Sequence, residues 1–344
     1  RMQCTNNLKQ LSLSLHNYHD KYDSFVAGSG WISLNTSTGI RWTGTATHMW
    51  MYSGFIQLLP YVEQTARYDA IHATIVYSGS EPFAWRDAML NGGASNSTAA
   101  DLPYPIRGQN TALTCPSDNT NDIGRTEGTK TSYVMCLGDA IGRDDPGRAT
   151  TESSANILNR RGMFGHRNWQ SMASVTDGTS NTIAFSEAVA GRGGNTVKGR
   201  LYFDATVTAS LTTDPLTVCS VSNVTSTADK RVYKANTCNY DRGGQPFDAR
   251  CFHGFFNTVN SPNGPSCFST NGDGDTIYGV YTASSVHSGG VNAGMCDGSV
   301  RFISETISNK TSGIVTPAQK TSGASDFGVW GALGTVDGGE SATP

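Results

Sequence analysis

Leu8, Leu11, Leu15, Tyr18 and Tyr22 stand at offsets 0, 3, 7, 10 and 14 in RMQCTNNLKQLSLSLHNYHDKY, one face of a helix that turns every 3.6 residues. An apolar stripe of this kind must be buried against something, and the rest of the chain offers mainly short segments to bury it. Beyond FVAGSG these are divided by Gly, Ser, Thr, Asn and Pro. From residue 111 onward strands are expected to dominate: TSYVMCLG, NTIAFSEAV, RLYFDATVTASL, TIYGVYTASS and AGMCDGSVRFIS alternate or run apolar between turn residues. One more helix is expected from about Pro60 to Ile71, because a proline at a first helical position forfeits no bonded N–H. Tyr61, Gln64 or Thr65, and Tyr68 would then face inward.

The expected fold class is α+β, an N-terminal amphipathic helix over residues 1–24 packed on a β-rich, antiparallel head over 25–344. No repeat and no Gly/Ser or Pro-rich linker splits the chain, so the head is read as one domain. The stretch at about 190–286, with four of the eight cysteines, reads as an elaborated insertion.

Charged residues are 15% of the chain, below the roughly 25% of an average soluble protein, and Gly reaches 39. That is the make-up of a turn-rich extracellular protein. A net charge of -3 without any basic run excludes an electrostatic footprint for nucleic acid or an anionic membrane. No apolar run reaches the roughly 18 residues of a membrane helix. Cysteines at 4, 115, 136, 219, 238, 251, 267 and 296 form no C-x-x-C pair, so disulfides in an oxidising compartment are the reading, with buried free thiols the alternative.

Chemistry is sparse. G-x-S-x-G, H-E-x-x-H and P-loop patterns are absent, and no catalytic residue is assigned. His16 and His19 are three apart but lack a third ligand nearby, and read as a wet helix face. Asp144 and Asp145 beside Pro146-Gly147 read as a solvated turn. Asn271, Asp273 and Asp275 alternate as the first ligands of a calcium loop do, yet Thr276 and Thr282 replace the Gly and Glu of an EF-hand. Calcium is thus the one cofactor candidate, against a polar turn. Sequons at Asn35, Asn96, Asn223 and Asn309 make glycosylation a candidate modification.

His287 and Asp297 in SSVHSGGVNAGMCDGSVRFIS invite reading as a dyad. The six or seven extended residues between them span about 20 Å, which argues against one. Asp297-Gly298 between two β-favouring runs signals a hairpin, expected as a type I′ turn with positive φ at both central residues. His287 is then a strand-entrance histidine and Asp297 a turn residue.

Eight stretches together resemble one family: RMQCTNNLKQLSLSLHNYHDKY, LLPYVEQTARYDA, LTCPSD, TSYVMCLG, VTDGTSNTIAFSEA, FNTVNSPNGPSC, SSVHSGGVNAGMCDGSVRFISETI and WGALGTVDGGE. Their order is similar to that of the domain-of-unknown-function 1559 proteins of planctomycete bacteria. His287, Asp297 and Gly298 match that family's processing-associated motif of His, nine residues, Asp-Gly; Asp177, Gly178 and Asn181 belong to another of its stretches.

The family's prepilin-type helix of about one membrane span would stand immediately before the residues matching Arg1-Met2-Gln3-Cys4, so the sequence is expected to start partway along that helix, the rest being either removed by proteolysis or not included. The resemblance implies a pilin-like or pseudopilin-like extracellular structural protein, exported by a prepilin-type route, that forms a homopolymeric filament or fibril. Its partners would be copies of itself, joined through the head, the N-terminal helix and a C-terminal tail docked on its own domain or on a neighbour. Its only membrane contact would be through the missing helix.

The alternative is a pseudopilin-like adhesin or carbohydrate-binding module at a secretion-system or pilus tip, using Trp31, Trp42 and Trp50 on glycans. A hydrolase would need a carboxylate or nucleophile within hydrogen-bond reach of His287. Family-like positions suggest a Cys4–Cys115 disulfide. Proximity in the chain suggests Cys219–Cys238 and Cys251–Cys267, with Cys136–Cys296 as the remainder.

Overall fold

The computed structural model describes residues 1–29, 53–77, 110–118, 130–141, 161–165, 168–191, 194–234, 237–244, 246–269, 279–309, 320 and 322–340. Helix α1 (Met2–Tyr22) forms where the leucine period places it, and Leu8, Leu11, Leu15 and Tyr18 are each no more than 1% exposed. Burying four such side chains contributes about 6–10 kcal/mol before entropy is subtracted. The helix stops at Asp23, whose left-handed backbone returns its N–H to the His19 carbonyl.

The helix expected over 60–71 is instead divided in two, and the segment 54–77 is in three pieces. They are α2 (Gly54–Leu58), capped by the Ser53 hydroxyl, a 3₁₀ turn Leu59–Val62 that holds Pro60, and α3 (Thr65–Tyr77). Glu63, at φ 61°, redirects the chain between the last two. Tyr61 and Tyr68 therefore reach the core from different elements, while Thr65 is exposed.

The strands are short, because turn residues interrupt each apolar run. In chain order β1 (Tyr133–Cys136), β2 (Ile183–Glu187) and β3 (Arg200–Tyr202) come first. RLYFDATVTASL is a strand only at its start: Asp204 accepts the Val207 N–H and opens α4 (Ala205–Ser210). Two further short helices, α5 (Pro215–Val218) and α6 (Val221–Val224), are capped the same way by Asp214 and Ser220. Next come β4 (Thr237–Asp241), α7 (Cys251–Gly254), β5 (Phe255–Phe256), β6 (Cys267–Phe268), β7 (Gly279–Val280), β8 (Gly290–Met295), β9 (Val300–Ser304) and α8 (Gly328–Ala332).

Among the described residues two sheets result, ordered β5-β1-β2-β8-β9 and β4-β3-β6-β7. Pairing is antiparallel except for β1 with β5 and β3 with β6, which departs from the all-antiparallel expectation. The second sheet and the three short helices lie between residues 200 and 280, around an apolar cluster that includes Tyr202, Val207, Leu211, Val224 and Tyr233. This is the pilin-like α+β arrangement, an N-terminal helix on a β-rich head. Helix α1 lies so close over β8 that a Cβ on Gly294 would sit 2.3 Å from the Ser12 hydroxyl.

The β8–β9 hairpin turns at Asp297-Gly298 as expected, but not as a type I′ turn. Only Gly298 has positive φ, at 86°, and its N–H bonds to the Met295 carbonyl, while Met295 N–H bonds to Ser299. That is a type I turn closed by a G1 bulge. Asp297 accepts from the Ser299 N–H and hydroxyl, which holds the turn without a positive φ at the aspartate.

The Cys4–Cys115 disulfide forms, and so does a second, Cys219–Cys267. The latter replaces both expected neighbour pairs, Cys219–Cys238 and Cys251–Cys267. Parallel pairing of β6 with β3 carries Cys267 to the end of α5, 48 residues from its partner. The remainder pair is not formed either: Cys136 and Cys296 are buried thiols. Cys136 is on β1 and Cys296 follows β8, with β2 between them. Two strand spacings put such backbones about 9–10 Å apart, beyond the reach of a disulfide.

Candidate functional site

Four of the stretches that carry the family resemblance converge under the first turn of α1. Asn7 donates both amide hydrogens to the carbonyls of Thr111 and Thr114, which brings Cys4 against Cys115. Tyr133 lies opposite Glu187 in the β1–β2 register and donates its hydroxyl to the Cys4 carbonyl. Burial, with the Glu187 charge added, raises this phenol above its usual range. Asp118 ties the loop down from below, accepting from the Ser132 hydroxyl and the Ala190 N–H.

Glu187, at the end of β2, is 2% exposed and doubly held by Asn292 of β8. The Asn292 N–H lies 2.9 Å from one carboxylate oxygen and its side-chain amide 3.0 Å from the other. Such bonds satisfy a carboxylate that burial would otherwise penalise.

The loop before β8 delivers His287. Ser284 donates to the Glu187 carbonyl and its hydroxyl accepts from Val189; the Ser285 hydroxyl accepts from the His287 N–H; and Lys198 Nζ donates to the Ser285 carbonyl. The imidazole Nε2 then stands 3.7 Å from Glu187 Oε1 and 3.8 Å from Cys115 Sγ. Neither distance is a strong hydrogen bond to the ring. The four side-chain atoms, from Cys4, Cys115, Glu187 and His287, all lie within 4.8 Å of one another.

Asp297 is not part of this group. It sits beyond the far end of β8 in the hairpin turn, so His287 and Asp297 have the separate places that their spacing suggested. The carboxylate that does approach His287 is Glu187, 100 positions earlier in the chain.

Asp177, Gly178 and Asn181 form a second feature, a clamp on the tail. Asp177 accepts from the Gly338 N–H at 2.6 Å, the Gly339 N–H at 2.8 Å and the Thr335 hydroxyl at 3.0 Å. Its own N–H donates to Val336, while Thr182 and Ile183 bond to Thr335 and Leu333. The turn needs Gly178 at φ 98°, and the Asn181 amide reaches back to the Asp177 carbonyl. The described tail thus docks on its own domain.

Of the sequons, Asn223 is exposed on α6, with its amide on the Val218 carbonyl, and Asn309 is half-buried, with its amide on Val259. Asn35 and Asn96, the calcium candidates Asn271, Asp273 and Asp275, Asp144 with Asp145, Trp31, Trp42 and Trp50 lie outside the described residues, as does the Cys238 side chain. His16 and His19 hold no third ligand among the described residues: both pack on Phe25, and His19 Nε2 accepts from Met172. No described helix is long and apolar enough to cross a membrane.

The family described as "Protein of unknown function (DUF1559)" matches residues 1–310. The chain belongs to that family. No curated protein and no solved structure matches this DUF1559 chain. What sequence reasoning missed was Glu187. It stands inside NTIAFSEA, and a buried acid closing an otherwise apolar strand was the available signal.

Proposed function

We propose that the chain is an exported, non-enzymatic structural subunit that assembles with copies of itself into a filament or surface appendage through its head and α1. The observation that carries this reading is the β9 edge. β9 has β8 on one side and, among the described residues, no strand on the other. Phe302 on that edge is 44% exposed, Leu13 on the adjoining face of α1 is 42% exposed and Met2 84%. Arg1 lies 4.2 Å over the Phe302 ring. An unpaired strand edge flanked by exposed apolar side chains is a template for another chain. Two disulfides support an oxidising location.

In this proposal the described tail, already docked on Asp177, does not bridge subunits. The adhesin alternative rests on Trp31, Trp42 and Trp50, which lie outside the described residues. A groove of about 610 Å³ bordered by Ser220, Asn260, Asn263, Glu305 and Asn309 has no aromatic ring in its described lining on which a sugar could stack.

The test is negative-stain microscopy and sedimentation of the purified chain over a wide concentration range, beside Phe302→Lys. Polymers from the parent chain, lost in a variant of unchanged circular dichroism, are expected. Monomers alone under every condition would sink the assembly reading; an unaltered polymer in the variant would move the contact away from β9.

A further inference from the structure

We propose that the Cys4, Cys115, Glu187 and His287 cluster is a redox-gated binding site for a zinc-type divalent metal, closed while the disulfide exists and open once it is reduced. Two thiolates, one imidazole and one carboxylate are a complete donor set for tetrahedral zinc, with no open position. Donors around such an ion, with bonds of about 2.0–2.3 Å, stand about 3.3–3.8 Å apart along the edges of the tetrahedron. The His287–Glu187 and His287–Cys115 edges, at 3.7 and 3.8 Å, already have that length. The Cys4–Cys115 edge is too short, because its two atoms are bonded to each other, and no edge exceeds 4.8 Å.

The surroundings are those of a metal site rather than of an accidental cluster. Asn292 fixes both oxygens of Glu187 and so orients the carboxylate, as outer-shell partners do. Ser285 and Lys198 set the loop that aims His287. The donors come from four separate segments, so a bound ion would tie α1, the 115 loop, β2 and the β8 entrance together as the disulfide ties the first two. Metal would thereby replace one cross-link by another.

The chemistry balances with a dithiol as reductant. Two electrons and two protons pass from the dithiol, which becomes a disulfide, and the Cys4–Cys115 bond is cleaved to two thiols. The ion then displaces both thiol protons to solvent and is held by the two thiolates, Glu187 and His287.

The experiment uses the full chain with cobalt(II) as a spectroscopic stand-in for zinc, before and after reduction by a phosphine. The reduced chain should bind one equivalent with the visible bands of a tetrahedral thiolate site, and the oxidised chain none. His287→Ala and Glu187→Gln should each weaken binding at least about 100-fold, while Asn292→Ala should cost about 10–100-fold.

Other thiols in the reduced chain are controlled by these non-cysteine variants, since binding that ignores His287 and Glu187 overturns the proposal. Equal binding by the oxidised chain, or none by the reduced one, overturns it too. Should reduction unfold the chain, added zinc is expected to restore the parent and not His287→Ala; failure to restore the parent also overturns the proposal.

Discussion

Single atoms decide how tightly α1 can sit on the sheet. The Ser12 hydroxyl is buried without a hydrogen-bond partner among the described residues, and it occupies the space where a Gly294 side chain would begin. Gly294→Ala should therefore lift α1 and cost about 1–3 kcal/mol by overpacking. Ser12→Ala removes the offending oxygen and a buried unsatisfied group, so alone it should be near neutral. Together the two should recover most of the loss. The same Ser12→Ala change should not rescue Gly298→Ala, where the added Cβ meets Leu13 no closer than 3.4 Å and the penalty, about 1 kcal/mol, comes from the positive φ. Urea midpoints of the three single and two double variants measure the coupling, and strict additivity of Gly294→Ala with Ser12→Ala would refute the close-approach argument.

Elements differ in how much of their placement is local, and legibility tracks that division. Helix α1 was readable because its leucine period needs no knowledge of what it packs against, and the β8–β9 hairpin because Asp-Gly marks a turn wherever it occurs. The type of turn was not readable, since the bulge depends on which backbone groups the partner strand offers. The 60–71 helix broke because Glu63 adopts a left-handed conformation that no periodicity announces. Cys219–Cys267 and the Glu187–His287 approach were illegible for a stronger reason: contacts across 48 and 100 positions are set by sheet order, not by spacing. The tail clamp is of this kind as well. Asp177→Ala removes an acceptor shared by Gly338, Gly339 and Thr335 and leaves their donors without it. It should cost about 2–4 kcal/mol and free the segment after α8. Limited proteolysis with mass spectrometry reads this directly; a tail as resistant as the parent's would show that Leu333 and Thr335 suffice to hold it.

Across the whole molecule, several thiols and phenols are buried with their acidities lowered, and the fold is expected to lose stability in alkali. Burial pushes the Cys136 thiol up to about 12 from a usual 9.0 and Cys296 well above 9.0. Burial likewise lifts Tyr18, Tyr133 and Tyr233 above the phenol range. An acid whose folded value is raised contributes nothing to the pH dependence while both states hold the proton. Once pH passes the unfolded value, the unfolded chain releases a proton that the folded chain keeps, and stability is lost until the folded value is reached. The loss thus begins near pH 9, with the thiols, and deepens as the phenols titrate above about pH 10. Arg242 works the other way, because desolvation pulls it down to about 10, but it is one group against five. A tenfold difference in proton affinity is worth about 1.4 kcal/mol, so Cys136 alone removes about 2–3 kcal/mol by about pH 11. Against the 5–15 kcal/mol typical of a folded domain, a loss of that size is a large share of the total. The urea midpoint should hold steady from about pH 7 to 9 and then fall steeply. Cys136→Ala should fall less steeply from a lower starting point, since a small buried side chain is lost along with the titrating thiol. A parent midpoint that stays flat to about pH 11 would mean that these groups ionise in the folded state at little cost, and that the core around β1 admits water.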